Sequence, residues 1–377
     1  MKKSSALLLY GDSENNADLY YATKFLVPDP VYFVQIKNKK YLFLNDLEVD
    51  RGRSESQVDE VVSISELTEK LKKVKKAKAF PLLELLEFFL KEKGVSAITI
   101  PHNFPAYSAQ KLKNKKFKLQ FQADPFWPTR VIKNQEEKKN IKLALKHTAN
   151  AIKRAYAILA ECGIKKNLLY YKGKKLGSEG LRSLIDLYLF EQGCLAQQTI
   201  VAGGEQGVDP HNRGDALLHA HESIVMDVFP RHIASRYYAD MSRTVVKGKA
   251  SPQLKKQWQA VKEAQEWTMA HLKAGVNGRK IHEGILKLFE KKGFKSGNIN
   301  GRMQGFFHGT GHGLGLDIHE APRISKFDHT LKEGTVVTVE PGLYYSGVGG
   351  VRIEDVVYIT KDGCEILSSC PKILEIE

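Results

Sequence analysis

The chain has 377 residues, 27% charged and 42% hydrophobic, with a formal net charge of +15; this composition excludes a disordered or fibrous chain and suits two globular domains better than one. No apolar run reaches the roughly twenty residues of a membrane helix, and the opening Met1-Lys-Lys-Ser-Ser-Ala-Leu-Leu-Leu-Tyr meets polar Gly11-Asp-Ser-Glu too soon for a secretory leader. Cys162, Cys194, Cys364 and Cys370 show no Cys-x-x-Cys spacing, so a cytoplasmic, reducing setting is expected and neither a disulfide framework nor a membrane partner is.

In chain order, Ala6–Tyr10, Val31–Ile36, Tyr41–Leu44 and Ala97–Ile100 are short β-rich apolar runs. Asn38-Lys-Lys reads as a hairpin turn, and Phe80-Pro-Leu-Leu-Glu-Leu-Leu-Glu-Phe-Phe-Leu carries apolar residues at helical spacing. Lysine runs such as Leu71–Lys78 and Lys111–Lys118 read as solvated faces, and no nucleic-acid partner is expected, since no zinc-finger or RNA-binding aromatic pattern accompanies them. Two prolines in Asp124-Pro-Phe-Trp-Pro-Thr-Arg mark the boundary between an α/β domain, 1–128, and a second domain, 129–377.

Beyond it, Asn134 is placed to cap a long helix and Gly163 to end it. Further helices are expected over 180–192, 252–274 and 278–292, outside a largely antiparallel sheet. Ser223-Ile-Val-Met-Asp227-Val-Phe and Tyr237-Tyr-Ala-Asp240-Met-Ser-Arg-Thr-Val-Val read as one strand pair. Thr335-Val-Val-Thr-Val-Glu340 and Val351-Arg-Ile-Glu354-Asp-Val-Val-Tyr-Ile read as another, joined by a Gly- and Tyr-rich connection. Each pair follows two helices, which suggests an internal duplication. All four runs hold a carboxylate inside an apolar strand, and acidic groups are rarely buried unless paired or bound to a cation.

Between the pairs lies His308-Gly-Thr-Gly-His312-Gly-Leu-Gly-Leu-Asp-Ile-His319-Glu-Ala-Pro-Arg323, with three imidazoles in twelve residues separated by glycines. Glycine lets a backbone pass close to another group or turn with positive φ, and imidazole serves equally as metal ligand or as acid and base. The carboxylates favour the first use. Four ionised carboxylates crowded together repel, and two divalent ions offset them; an oxygen-rich, single-nitrogen set suits Mn, Co or Fe, with Zn also able to bind.

At these residues, from about Asn134 to Glu377, the chain resembles the pita-bread metallopeptidases, which include aminopeptidase P, prolidase and methionine aminopeptidase. Its first third resembles the smaller N-terminal domain of aminopeptidase P, prolidase and creatinase. The resemblance implies an α+β fold, with a curved antiparallel sheet and outer helices in the C-terminal domain. It implies Asp227 as ligand of one ion, Asp240 and Glu354 as bridging ligands, and His312 and Glu340 as ligands of the other. His211 and His319 fall where the family contacts the reacting peptide, and His308 and Arg352 at further active-site positions. Twelve residues separate Asp227 from Asp240, longer than the family's usual spacing. An even insertion in a hairpin loop around Pro230-Arg-His preserves which face each side chain meets; Asp215 and Asp317 are the alternatives in another register.

The activity so implied is hydrolysis of Xaa-Pro peptide bonds, as an Xaa-Pro aminopeptidase or dipeptidase, by attack of a hydroxide bridging two metal ions, with Glu340 passing the proton. Proline-containing peptides are the expected partners, and a homodimer is one state the resemblance allows. Arg323 matches a guanidinium that binds a dipeptide's carboxylate in several prolidases, a partner suited to its planar fork. A metallo-aminopeptidase without proline specificity and a non-catalytic binding module on the same fold are the alternatives. Creatinase-like and binding-module relatives lack the full ligand set.

Overall fold

Runs of β-branched and aromatic residues gather the first part of the chain around one sheet. A computed structural model describes residues 4–377; residues 1–3, which begin the stretch weighed above as a leader, lie outside the described residues. The chain divides into two units, Met1–Pro128 and Thr129–Glu377.

In the first unit six strands run in the order Glu60–Ser63, Lys39–Leu44, Val31–Ile36, Ser4–Gly11, Val95–Pro101, Lys118–Gln122. The sheet is mixed: Ser4–Gly11 is antiparallel to Val31–Ile36 and parallel to Val95–Pro101. Its central strands are apolar on both sides because both faces are covered. Leu8, Val34 and Phe43 pack with Leu86 and Phe89 of the helix Leu82–Glu92. Leu9, Phe33 and Leu42 pack on the other face with Leu19 and Val49. The hairpin turn falls at Lys37 and Asn38, with Lys37 at φ 55°. Lys39 and Lys40, read above as part of the turn, already pair with Ile36 and Gln35.

The second unit opens on the helix Gln135–Glu161. Asn134 Oδ1 accepts from Glu137 N while the Glu137 carboxylate accepts from Asn134 N, a reciprocal cap worth about 1 kcal/mol. The helix ends at Glu161, just before Gly163 as expected, but Gly163 takes no left-handed turn and instead enters the strand Gly163–Lys165. Helices Ser178–Glu191, Pro252–His271 and Gly278–Lys291 follow. One sheet orders Ile200–Gly203, Ile224–Val228, Met241–Lys247 and Glu375–Ile376. A second orders Glu320–Ile324, Gly311–Gly313, Val336–Val339, Asp355–Ile359 and Cys364–Ile366.

Three of the four carboxylates expected inside strands stand at strand ends. Asp227 lies within Ile224–Val228, whereas Asp240 precedes Met241–Lys247, Glu340 follows Val336–Val339, and Glu354 separates Gly349–Arg352 from Asp355–Ile359. The connection between the second pair is itself a hairpin, Gly342–Tyr345 against Gly349–Arg352. At Ile353 and Glu354 the chain leaves that hairpin for the five-stranded sheet, and Glu354 N donates to Ser242 O of the other sheet at 3.0 Å. These breaks in the ladders let side chains from separate strands turn toward one point.

Broken ladders leave carbonyls that need donors. Gln265, fully buried on Pro252–His271, supplies two: its Nε2 donates to Val339 O at 3.0 Å and to Ile353 O at 3.1 Å, the residues immediately before Glu340 and Glu354. Arg243, 1% exposed, donates to Glu354 O and pairs with the Asp355 carboxylate at 2.7 Å. Burial alone would raise Asp355, but Arg243 and Lys372 hold its carboxyl below the usual range.

Replacing Gln265 with Leu strands two buried acceptors, each worth about 1–3 kcal/mol; a loss of at least about 2 kcal/mol in urea unfolding is expected. Because the Asp355 carboxyl is depressed on folding, its contribution is complete above the unfolded value of about 3.9 and is lost as pH falls through the folded one. The Asp355→Asn variant should therefore show a shallower fall of stability with pH below about 4 in the same measurement.

Candidate metal centre

Asp240, His312 and Glu354 come from three separate stretches, yet each offers a ligand atom within 4.8 Å of the other two, and all three residues are buried. His312 Nε2 lies 3.5 Å from Asp240 Oδ2 and 3.6 Å from Glu340 Oε1. The His312 ring is oriented by its other nitrogen, since Nδ1–H donates to Gly313 O at 3.1 Å and leaves the Nε2 lone pair facing the carboxylates. A metal ligand needs that tautomer. Two neighbouring glycines permit the approach: a Cβ on Gly311 would stand 1.9 Å from Thr338 O, and one on Gly313 would stand 2.5 Å from Ala321 O.

Asp227 stands beside this group but is held differently. Arg352 Nη2 donates to its Oδ2 at 2.8 Å, and Ser242 Oγ lies 2.9 Å from its Oδ1 and 2.8 Å from Glu354 Oε2. Ser242 thus links Asp227 to Glu354, and His312 stands between Asp240 and Glu340. Desolvation and mutual repulsion act on the carboxylates together: burial, then Asp227 and Glu340, push Asp240 far above the ordinary carboxylate range. Burial, then Asp240 and Glu340, do the same to Glu354. Glu340 is pushed to about 8, chiefly by burial. A set of buried oxygens that cannot all ionise alone, joined by a neutral imidazole nitrogen, is the donor chemistry a divalent cation satisfies. Asp240, His312 and Glu354 fit a cation, with Glu340 beside His312, whereas Asp227 is held by Arg352.

The remaining expected residues surround this group. His319 meets His312 edge to face, with ring centroids 4.4 Å apart, and Arg323 is the cross-strand partner of His312. His211 is exposed on the turn after Gly204–Val208, and Arg352 Nη1 reaches Pro210 O on that turn at 3.4 Å. His308 closes a directed chain: Arg352 Nη1 donates to Tyr344 Oη at 2.9 Å, Tyr344 O–H donates to His308 Nε2 at 3.0 Å, and His308 Nδ1–H donates to Gly309 O. Burial, then Arg352, lowers His308 to about 3, and burial pushes Tyr344 to about 12, so both stay neutral and the direction is fixed. The alternatives lie outside the group: Asp215 is held by Gln206 and Asp317 by Arg130. Sequence reasoning did not single out Ser242 or Tyr344. Their positions, two residues after Asp240 and four after Glu340, were the available signal.

Residues 139–361 match metallopeptidase family M24, more than half of the chain. The chain belongs to that family. An Xaa-Pro dipeptidase of Pyrococcus horikoshii is 29% identical to this peptidase over 294 residues, 76% of this chain and 77% of that protein. A putative dipeptidase of Bacillus subtilis is 31% identical over 304 residues, 78% and 77% of the two chains. In fold, this peptidase is similar to the X-Pro aminopeptidase of Thermotoga maritima, with TM-score 0.81 at 23% identity over 99% of this chain and 98% of that one. The Xaa-Pro dipeptidase of Bacillus anthracis gives 0.82 at 23% identity over 99% and 95%. The architecture is the α+β pita-bread fold. No helix among the described residues is long and apolar enough to cross a membrane.

Elemental analysis of this peptidase as purified should find a divalent metal, and Asp240→Ala should lose most of it. Chelation should lower Tm by about 5–10 °C, as expected for a ligand held at some 100–1,000 times its Kd. Re-addition of the ion should restore it. Equal Tm with and without chelator would contradict the site.

Proposed function

We propose that this peptidase hydrolyses Xaa-Pro dipeptides. Arg323 carries the reading. It stands directly across a strand pair from His312, and its positive charge bears on His312, His319 and Glu340. A guanidinium beside a metal-ligand cluster fits a free carboxylate bidentately, and the carboxylate nearest the bond before proline is that of the dipeptide itself. The Pyrococcus horikoshii and Bacillus anthracis relatives named Xaa-Pro dipeptidase support the same substrate class.

Asp227, Asp240, His312, Glu340 and Glu354 would hold the ions, and the predominance of oxygen donors suits manganese. When bound, divalent ions offset the repulsion among these carboxylates and lower the pKa of a reacting water. Glu340, whose raised carboxyl would ionise once positive charge stood among these carboxylates, would take the proton from the attacking water and pass it to the departing proline nitrogen. His319, partly exposed but held below the ordinary imidazole range by desolvation and then by Arg323, donates a hydrogen bond to the peptide oxygen as the carbonyl carbon becomes tetrahedral. His211, exposed on its turn and near enough for its charge to bear on His308 and His319, orients the substrate. Asp227 would exchange its pair with Arg352 for an ion, while Arg352 and Tyr344 keep the His308 ring in place through the hydrogen bonds described above.

Glu340→Gln should lower kcat on an Xaa-Pro dipeptide by about a thousandfold or more, since a general base is worth about 10²–10⁴. Measured side by side, Xaa-Pro should be cleaved with higher kcat/KM than Xaa-Pro-Xaa. The reverse order would reassign the enzyme as an aminopeptidase, and cleavage of neither would remove proline from the account.

A further inference from the structure

The strand Glu320–Ile324, which leads from His319 to Arg323, is an edge strand of its sheet and among the described residues pairs only with Gly311–Gly313, with a register shift between His312 and Gly313. A short edge strand with an irregular ladder is poorly determined by pairing alone, and a one-residue slip would turn Arg323 to the other face. Fully buried Ile324 fixes one end, and something must fix the other.

Glu320 does so from the strand's first residue. Its side chain is only 8% exposed. Its Oε1 accepts from Arg130 Nη2 and from Asp317 N at 3.1 Å, and its Oε2 accepts from Lys133 Nζ at 2.9 Å. Lys133, 4% exposed, also donates to Arg130 O, and Arg130 reaches the Asp317 carboxylate at 2.8 Å. Gly315 leaves the space: a Cβ there would stand 2.9 Å from Lys133 Cε and 3.0 Å from both Glu320 carboxylate oxygens. Although burial opposes ionisation, Lys133 and then Arg130 hold the Glu320 carboxyl below its ordinary range, so the clamp stays charged. Toward the other end, Arg323 N donates to His329 Nδ1 at 2.7 Å, and Arg323 O packs so closely on Gly278 that a Cβ there would stand 2.6 Å away.

We infer that Glu320 is a positioning residue for substrate recognition, anchoring the edge strand on Arg130 and Lys133 so that Arg323 meets the dipeptide carboxylate and His319 the scissile carbonyl. This rests on the reading of Arg323 given above. Glu320 itself touches no reacting atom.

The test uses the metal-loaded full chain and compares Glu320→Gln, Arg323→Ala and the double variant Glu320→Gln/Lys133→Met, with Tm recorded for each. The expected result for Glu320→Gln is a KM for Xaa-Pro raised about tenfold or more, with kcat changed by less than about threefold and a smaller KM change on Xaa-Pro-Xaa. Glu320→Gln also leaves Lys133 buried without a countercharge and lowers Tm. The double variant removes both partners of that pair while Arg130 keeps Asp317, so it should recover Tm and still show the raised KM. A merely structural role would lower Tm and leave KM of the folded enzyme untouched. An unchanged KM in Glu320→Gln while Arg323→Ala raises it overturns the anchoring alone, as does recovery of KM together with Tm in the double variant. If Arg323→Ala leaves the dipeptide KM unmoved, the carboxylate reading has failed and this inference falls with it.

Discussion

Asp227, Asp240, Glu340 and Glu354 press their carboxylates together where little water reaches, and like charges so placed repel unless something positive lies among them. Arg352 supplies part of that charge at Asp227. The rest of the group, with the unprotonated nitrogen of His312 turned into it, has the donor set of a divalent cation site. A protein rarely assembles so unfavourable an arrangement without a ligand that reverses its sign.

Holding such a group requires backbone that does not yield. The carboxylates converge because the strands that carry them stop or change sheets beside the site, and the carbonyls freed there are taken up by Gln265 and Arg243. These two side chains lie on a helix and a strand packed behind the site, which places the support on rigid elements. A directed chain of hydrogen bonds, from the charged Arg352 through neutral Tyr344 to neutral His308, fixes the other wall. The buried clamp of Glu320 on Arg130 and Lys133 fixes the strand that brings His319 and Arg323 alongside.

Much of this was legible in the residues. The capped helix after Asn134, the three further helices of the second unit, and the apolar strands of the first follow from periodicity and capping chemistry, which are local. The boundaries that failed were those where tertiary packing overrides local preference. Asn38-Lys39-Lys40 reads as a turn, but the sheet claims both lysines; Gly163 invites a left-handed stop, but the chain continues into a strand.

The sequence alone identified the acidic residues and imidazoles that gather at the site, because carboxylates beside strongly apolar runs and histidines among glycines are costly patterns that stand out against ordinary composition. Only the tertiary structure decided that Asp240, Glu340 and Glu354 lie at strand ends, that Asp227 is held by Arg352, and that Ser242, Tyr344 and Glu320 take part. Several of those facts depend on contacts between residues a hundred or more positions apart, such as Glu354 with Ser242 and Glu320 with Lys133. No local pattern encodes them, because a side chain's partner across the fold is set by which sheets meet and not by its neighbours along the chain.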